Sequence, residues 1–119
     1  MTIAPTPCPP YYAVIFTSTS SGDDSGYEAM ADAMVSLAGQ QRGFLGIESA
    51  RDTLGITVSY WDSLEAIAAW KQNSAHLVAQ QRGRDLWYKA FKTRICRVER
   101  DYVYNKEEQA DVAPVRISR

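Results

Sequence analysis

One run near the start of the chain limits the fold more than any other feature. Tyr11 to Thr19 reads YYAVIFTST, and its centre, Ala13 to Phe16, is apolar without interruption. β-branched and aromatic residues favour a pleated strand. A continuous apolar run without alternation means that both faces are shielded from water. A sheet with helices on one side and a partner on the other meets that condition. At 119 residues, 45% hydrophobic and 23% charged, the chain is one domain that buries a modest core.

The remaining segments supply the helices and further strands. Ser20 to Gly26 is a polar turn cluster in which Asp23, Asp24 or Ser25 can cap a helix. Tyr27 to Gln41 then places Tyr27, Met30, Ala31, Met34, Leu37 and Ala38 on one helical stripe, read as core, and Arg42–Gly43 stops it. Phe44 to Asp52 reads as a second strand, with Gly46 marking a bulge or a close backbone approach. Thr53 to Gly55 form a turn. Ile56 to Trp61 is a third strand with Ile56, Val58 and Tyr60 on one face and Thr57, Ser59 and Trp61 on the other.

Asp62 to Glu65 (DSLE) starts a helix, with Asp62 as cap and Glu65 at the capping-box position. Leu64, Ile67, Ala68 and Lys71 form its stripe. Trp70 lies about 60° around the axis from Ile67, at the stripe's edge. Asn73 or Ser74 is expected to break this helix, and Ala75 to Arg82 to continue it before Gly83. His76 and Gln80 are then neighbours one turn apart, beside small Ala79 and Gly83. Leu86 to Phe91 carries no clear pattern. Lys92 to Tyr104 reads as one long last strand with Arg94, Cys96, Val98, Arg100 and Tyr102 on one face.

These segments divide the chain into a proline-rich arm (1–10), a domain (11–104) and a polar tail (105–119) expected to pack weakly unless it docks on a partner. Strand, helix, two strands, helix pair, strand is the split βαβ order of an α+β ferredoxin-like sandwich, βαββαβ, with an antiparallel sheet and helices on one face. The other face holds too many apolar residues for water, so a homodimer packing sheet against sheet is expected.

A net charge of −1 and a pI near 5.8 give no global field for nucleic acid or an anionic membrane. The basic run Lys89 to Arg100 reads as a solvated or ion-paired strand face, with Arg82, Arg94 and Arg100 partnering Glu99, Asp101 or Glu65. Cys8 and Cys96 lack metal-ligand spacing and read as free thiols of a reducing cytosol, Cys96 buried in its strand. The N-terminus has no signal-peptide pattern and no apolar run reaches membrane-spanning length, so a cytoplasmic location is expected. A single histidine and no cysteine cluster exclude an ordinary structural zinc site, and no phosphate loop or nucleophile elbow is present.

The segment YW-DSLEAIAAW-KQNSAH, followed by QRGRDLWYKAFKTRICRVERDY, resembles the antibiotic biosynthesis monooxygenase family of dimeric α/β-barrel proteins, from about Tyr11 to Tyr104. The resemblance implies a cofactor-independent monooxygenase acting on a phenol- or quinol-like small molecule, with no metal or flavin. In that role Trp61, Trp70, Trp87 and Tyr88 would wall the substrate, His76 would take a proton, and Arg82 or Arg84 would stabilise the phenolate. A non-catalytic dimeric binding or stress-related domain on the same fold is the alternative. The family's heme-degrading branch is the third reading. It shares the Trp61–Trp70 spacing, but its iron-ligating histidine falls where this chain has Gln80 or a neighbour. It also uses a first-strand asparagine that Tyr11 to Thr19 lacks.

Overall fold

A computed structural model describes residues 2–81, 87–107 and 115–118, with the backbone alone for 78–81 and 115–118. Its elements run β1 (Tyr11–Ser20), α1 (Tyr27–Gly39), β2 (Phe44–Arg51), β3 (Leu54–Trp61), α2 (Leu64–Gln81), β4 (Tyr88–Val98), β5 (Asp101–Tyr104) and β6 (Val115–Ser118). Strands 1 to 4 form an antiparallel sheet in the order β2-β3-β1-β4. With both helices packed over it, this is the ferredoxin-like βαββαβ arrangement expected from the order of segments. The apolar strand β1 is one of the two central strands, paired with β3 and β4.

The pairing register sorts the sheet into two faces. Tyr12, Val14, Phe16 and Ser18 lie on the helix side with Trp61, Ser59, Thr57 and Gly55 of β3. Tyr11, Ala13, Ile15 and Thr17 lie on the opposite side with Tyr60, Val58 and Ile56. The core lies at one end of the helix side. Val14, Trp61 and Ile67 are its buried members, and Tyr12, Phe44, Ala66 and Trp70 pack against them.

Several local expectations are corrected. The helix does not break at Asn73–Ser74: α2 runs unbroken from Leu64 to Gln81. The Ser74 hydroxyl folds back to donate to the Lys71 carbonyl at 3.2 Å, and Asn73 donates sideways to Gln41 at 2.8 Å, so neither side chain competes for the helix backbone. Ser63, not Asp62, caps α2, accepting the Ala66 N–H at 3.1 Å. At α1 the capping position is Gly26, at φ 75°, while Asp23 accepts the Ser25 N–H in a local turn instead.

The last strand is two. β4 ends at Val98, and β5 starts at Asp101 and pairs with β6 from the tail. That pairing gives part of the tail a partner within the chain, where weak packing was expected. Cys96 is exposed in the single chain, not buried. Arg97, rather than Arg94 or Arg100, meets Glu99 at 3.4 Å, a pair too exposed to stabilise the fold much. Asp101 accepts the Tyr11 hydroxyl at 2.8 Å, tying β5 to the start of β1.

The proline-rich arm lies against the face away from the helices. Glu48 gathers it there, accepting the Ala4 N–H at 2.8 Å and the Tyr60 hydroxyl at 2.6 Å. A Cβ on Gly46 would stand 2.7 Å from the Ala4 Cβ, so only a residue without a side chain lets the arm pass. The strand also shifts register between Phe44 and Gly46, so Gly46 marks both a bulge and a close approach.

Candidate functional site

Aromatic rings gather at both ends of the helix side, and the two groups differ. The first surrounds Trp61, whose ring is 0% exposed and meets Phe44 edge-on at 5.4 Å and Trp70 face-on at 5.5 Å. The Trp61 indole N–H donates to the buried Ser59 hydroxyl at 2.9 Å. The one polar group of that ring is satisfied and its faces are covered, so this end is core.

The second group is open. Phe16 of β1 meets Tyr88 and Phe91 of β4, both at 5.3 Å, and Tyr88 meets Phe91 at 5.9 Å. Tyr27, the first residue of α1, stands edge-on to Tyr88 at 6.2 Å and to Trp87 at 5.7 Å. Phe91 is 44% exposed and Ile95, further along the same side of β4, is 52% exposed. Among the described residues the helices pack chiefly on each other and on β2 and β3, which leaves this apolar strip of β4 uncovered.

Tyr88 reaches this side through a backbone irregularity. Thr19 pairs with Ala90 but Ser20 pairs with Tyr88, so Lys89 is an extra residue in β4. Strict alternation would send Tyr88 to the same face as Ala90. The bulge turns it to join Phe16 and Phe91.

Arg51, at the end of β2, completes the open end. Ser18, Gly55 and Arg51 stand in register across β1, β3 and β2. The Arg51 guanidinium lies flat over Gly55: a Cβ there would come within 2.5 Å of Nη2. It donates to the buried Ser18 hydroxyl at 2.9 Å and to the Tyr27 hydroxyl at 3.3 Å, with its carbon 5.1 Å from the Tyr27 ring centre. Burial pushes the Tyr88 phenol well above its ordinary pKa. The nearby Tyr27 hydroxyl, by charge and hydrogen bond, adds to the rise, and Arg51 partly opposes it. Tyr88 is therefore a neutral phenol at physiological pH, able to donate a hydrogen bond and not to act as a base.

The residues expected to form one site are distributed over the molecule. Tyr88 belongs to the open end. Trp61 and Trp70 belong to the core end, Trp61 fully enclosed and Trp70 half-buried against it. Trp87 is buried behind Tyr27 and fixed by donating to the Ser25 carbonyl at 2.6 Å. His76 is exposed on α2. Arg82 and Arg84 lie outside the described residues. Sequence reasoning missed Phe16, Ser18, Tyr27, Arg51 and Phe91 as site residues. Gly55 was the available signal: a glycine within a strand marks a close approach as well as a turn.

The sequence profile described as antibiotic biosynthesis monooxygenase matches residues 10–82, more than half of the chain, and the protein belongs to that family. Uncharacterized protein YqjZ of Bacillus subtilis (strain 168) is 48% identical over 106 residues, spanning 87% of this chain and 93% of YqjZ. PA3566 from Pseudomonas aeruginosa superposes with a TM-score of 0.60 at 20% identity over 78% of this chain and 96% of its own. A mutant form of SnoaB, a cofactor-independent oxygenase from Streptomyces nogalater, gives a TM-score of 0.62 at 13% identity, over 74% of this chain and 92% of its own. At these identities the structural neighbours establish the fold. No helix among the described residues is long and apolar enough to cross a membrane.

Proposed function

We propose that the chain is a monooxygenase that uses neither metal nor flavin and acts on a phenol- or quinol-like aromatic. The observation that carries this reading is the uncovered aromatic floor of Phe16, Tyr88 and Phe91, bordered by the hydroxyls of Tyr27 and Tyr88. Membership of the family and the likeness in fold to SnoaB support it. A phenol that loses its proton can reduce O₂ at a ring carbon bearing hydrogen. The carbon gains one oxygen atom, the ring is oxidised to the quinone, and the other oxygen atom leaves as water. The protein's work is to hold the ring and stabilise its anion. Tyr88 supplies a hydrogen-bond donor at the ring's edge. His76 is the proposed proton acceptor and Arg82 the proposed partner of the phenolate, with Trp70 a more distant wall.

A second reading has its own observation. Trp61 and Trp87 fill space instead of lining it, as they would in a binding domain that keeps the fold without the chemistry. Heme degradation has less support, since β1 carries no asparagine. Under either main reading the active form is a homodimer through the face away from the helices, where Leu54 and Ile56 are exposed beside Val58 and Ile15.

Oxygen uptake with a panel of phenols and hydroquinones separates the readings. Wild type should consume O₂ with at least one of them and His76→Ala should be slower. No uptake with any, together with no heme absorption band on titration, leaves the binding domain. Light scattering behind size exclusion should give twice the chain mass; a stable monomer at micromolar concentration contradicts the dimer.

A further inference from the structure

We infer that Arg51 is the anion clamp of an aromatic-acid site: its guanidinium receives the carboxylate of a flat aryl ligand whose ring lies on Phe16, Phe91 and Tyr88. The inference rests on the reading of that floor as a ring-binding surface and narrows it to rings that carry an acid.

The charge of Arg51 is held but, among the described residues, not neutralised. Its contacts are the Ser18 hydroxyl, the Tyr27 hydroxyl and the Tyr27 ring, none of them a carboxylate, and both hydrogen bonds come from Nη2. Nε and Nη1 keep their donors for another acceptor. Arg97 meets the carboxylate of Glu99, whereas no carboxylate among the described residues meets Arg51. The Arg51 guanidinium is instead laid flat over a glycine and pinned to a buried serine, which fixes its plane before any ligand arrives. With both Nη2 hydrogens committed, Nε–H and the Nη1 hydrogens can each give a single charge-assisted hydrogen bond to a carboxylate oxygen, in a plane that is already fixed. From Arg51 the rings follow without a gap: Tyr27 under the cation at 5.1 Å, Tyr88 at 6.2 Å from Tyr27, and Phe16 at 5.3 Å from Tyr88.

The test is calorimetric binding of 4-hydroxybenzoate and of its methyl ester to the full chain, in the absence of turnover. Wild type should bind the acid about 10- to 100-fold more tightly than the ester. Arg51→Met should erase that preference. Gly55→Ala keeps the charge but displaces the guanidinium from Ser18, and should reduce the preference. Phe91→Ala should weaken acid and ester alike and leave their ratio unchanged. Thermal unfolding of each variant checks that it is folded. Equal affinity for acid and ester in wild type, no binding of either, or a preference that survives Arg51→Met overturns the inference. Oxygen uptake is read separately. Acid preference without uptake removes the oxygenase and keeps the clamp; uptake with neutral phenols and no acid preference does the reverse.

Discussion

The two aromatic clusters on the helix side use the same residue types and end in opposite states. Around Trp61, rings from β3, β2 and α2 close on one another, and the indole N–H finds Ser59. Around Phe16, rings from β1 and β4 meet at similar distances, yet Phe91 stays 44% exposed. The difference is coverage. α2 starts next to Trp61 and leans on β3, while among the described residues the helices pack chiefly on each other, β2 and β3, and α1 meets β4 through Tyr27 at its start. Aromatic content alone therefore does not locate a site. An aromatic cluster becomes a site where a layer of the fold stops short of it.

The contrast can be broken most forcefully at its closed end. Trp61→Ala removes the largest fully buried side chain, and its unfolding free energy in urea should fall by about 3–5 kcal/mol. A loss below about 1 kcal/mol would mean that this end is not the core. Ser59→Ala leaves the Trp61 N–H buried without its acceptor and should cost about 1–3 kcal/mol by the same measurement. At the open end, Phe91→Ala should change stability by about 1 kcal/mol or less while weakening the binding of aromatic ligands. A large stability loss with unchanged ligand affinity would assign Phe91 to the core instead.

The smallest expected effect concerns the opposite face. Burial first, then the Glu48 carboxylate, holds the Tyr60 phenol above its ordinary value of about 10. A group whose folded pKa is raised stabilises the protein below its unfolded pKa, and that contribution is lost as pH rises from there toward the folded value. Chemical denaturation should thus show stability falling above about pH 10, less steeply in Tyr60→Phe. An identical slope in the variant would remove Tyr60 from the account.

Much of the frame was legible in the residues. The β1 run, the α1 stripe, the DSLE start and the alternation in β3 gave the element order, and the order gave the topology. Short-range features misled where a side chain had two options. Ser74 and Asn73 can break a helix or bond around it, and here they do the second. Asp62 and Ser63 can both cap, and Ser63 does. The β4 pattern gave no sign that the strand stops at Val98 and resumes at Asp101 to pair with the tail.

The candidate site was less legible because it depends on register. Tyr88 was singled out from sequence, but with Trp61 and Trp70, which the structure puts at the core end, and Trp87, which it buries behind Tyr27. Tyr88 faces Phe16 only because Lys89 is an extra residue, and one residue of register decides the side on which a strand residue lies. Nothing in the local pattern singles out Arg51. Only the sheet order sets it across Gly55 from Ser18, two strands away. Hydrophobic periodicity is local and acts within each segment, so the sequence by itself determined the first three strands, the two helical regions, the order of segments and the family. Which aromatic residues became core and which became surface was decided by tertiary structure, since coverage depends on how far each helix extends over strands distant in the chain.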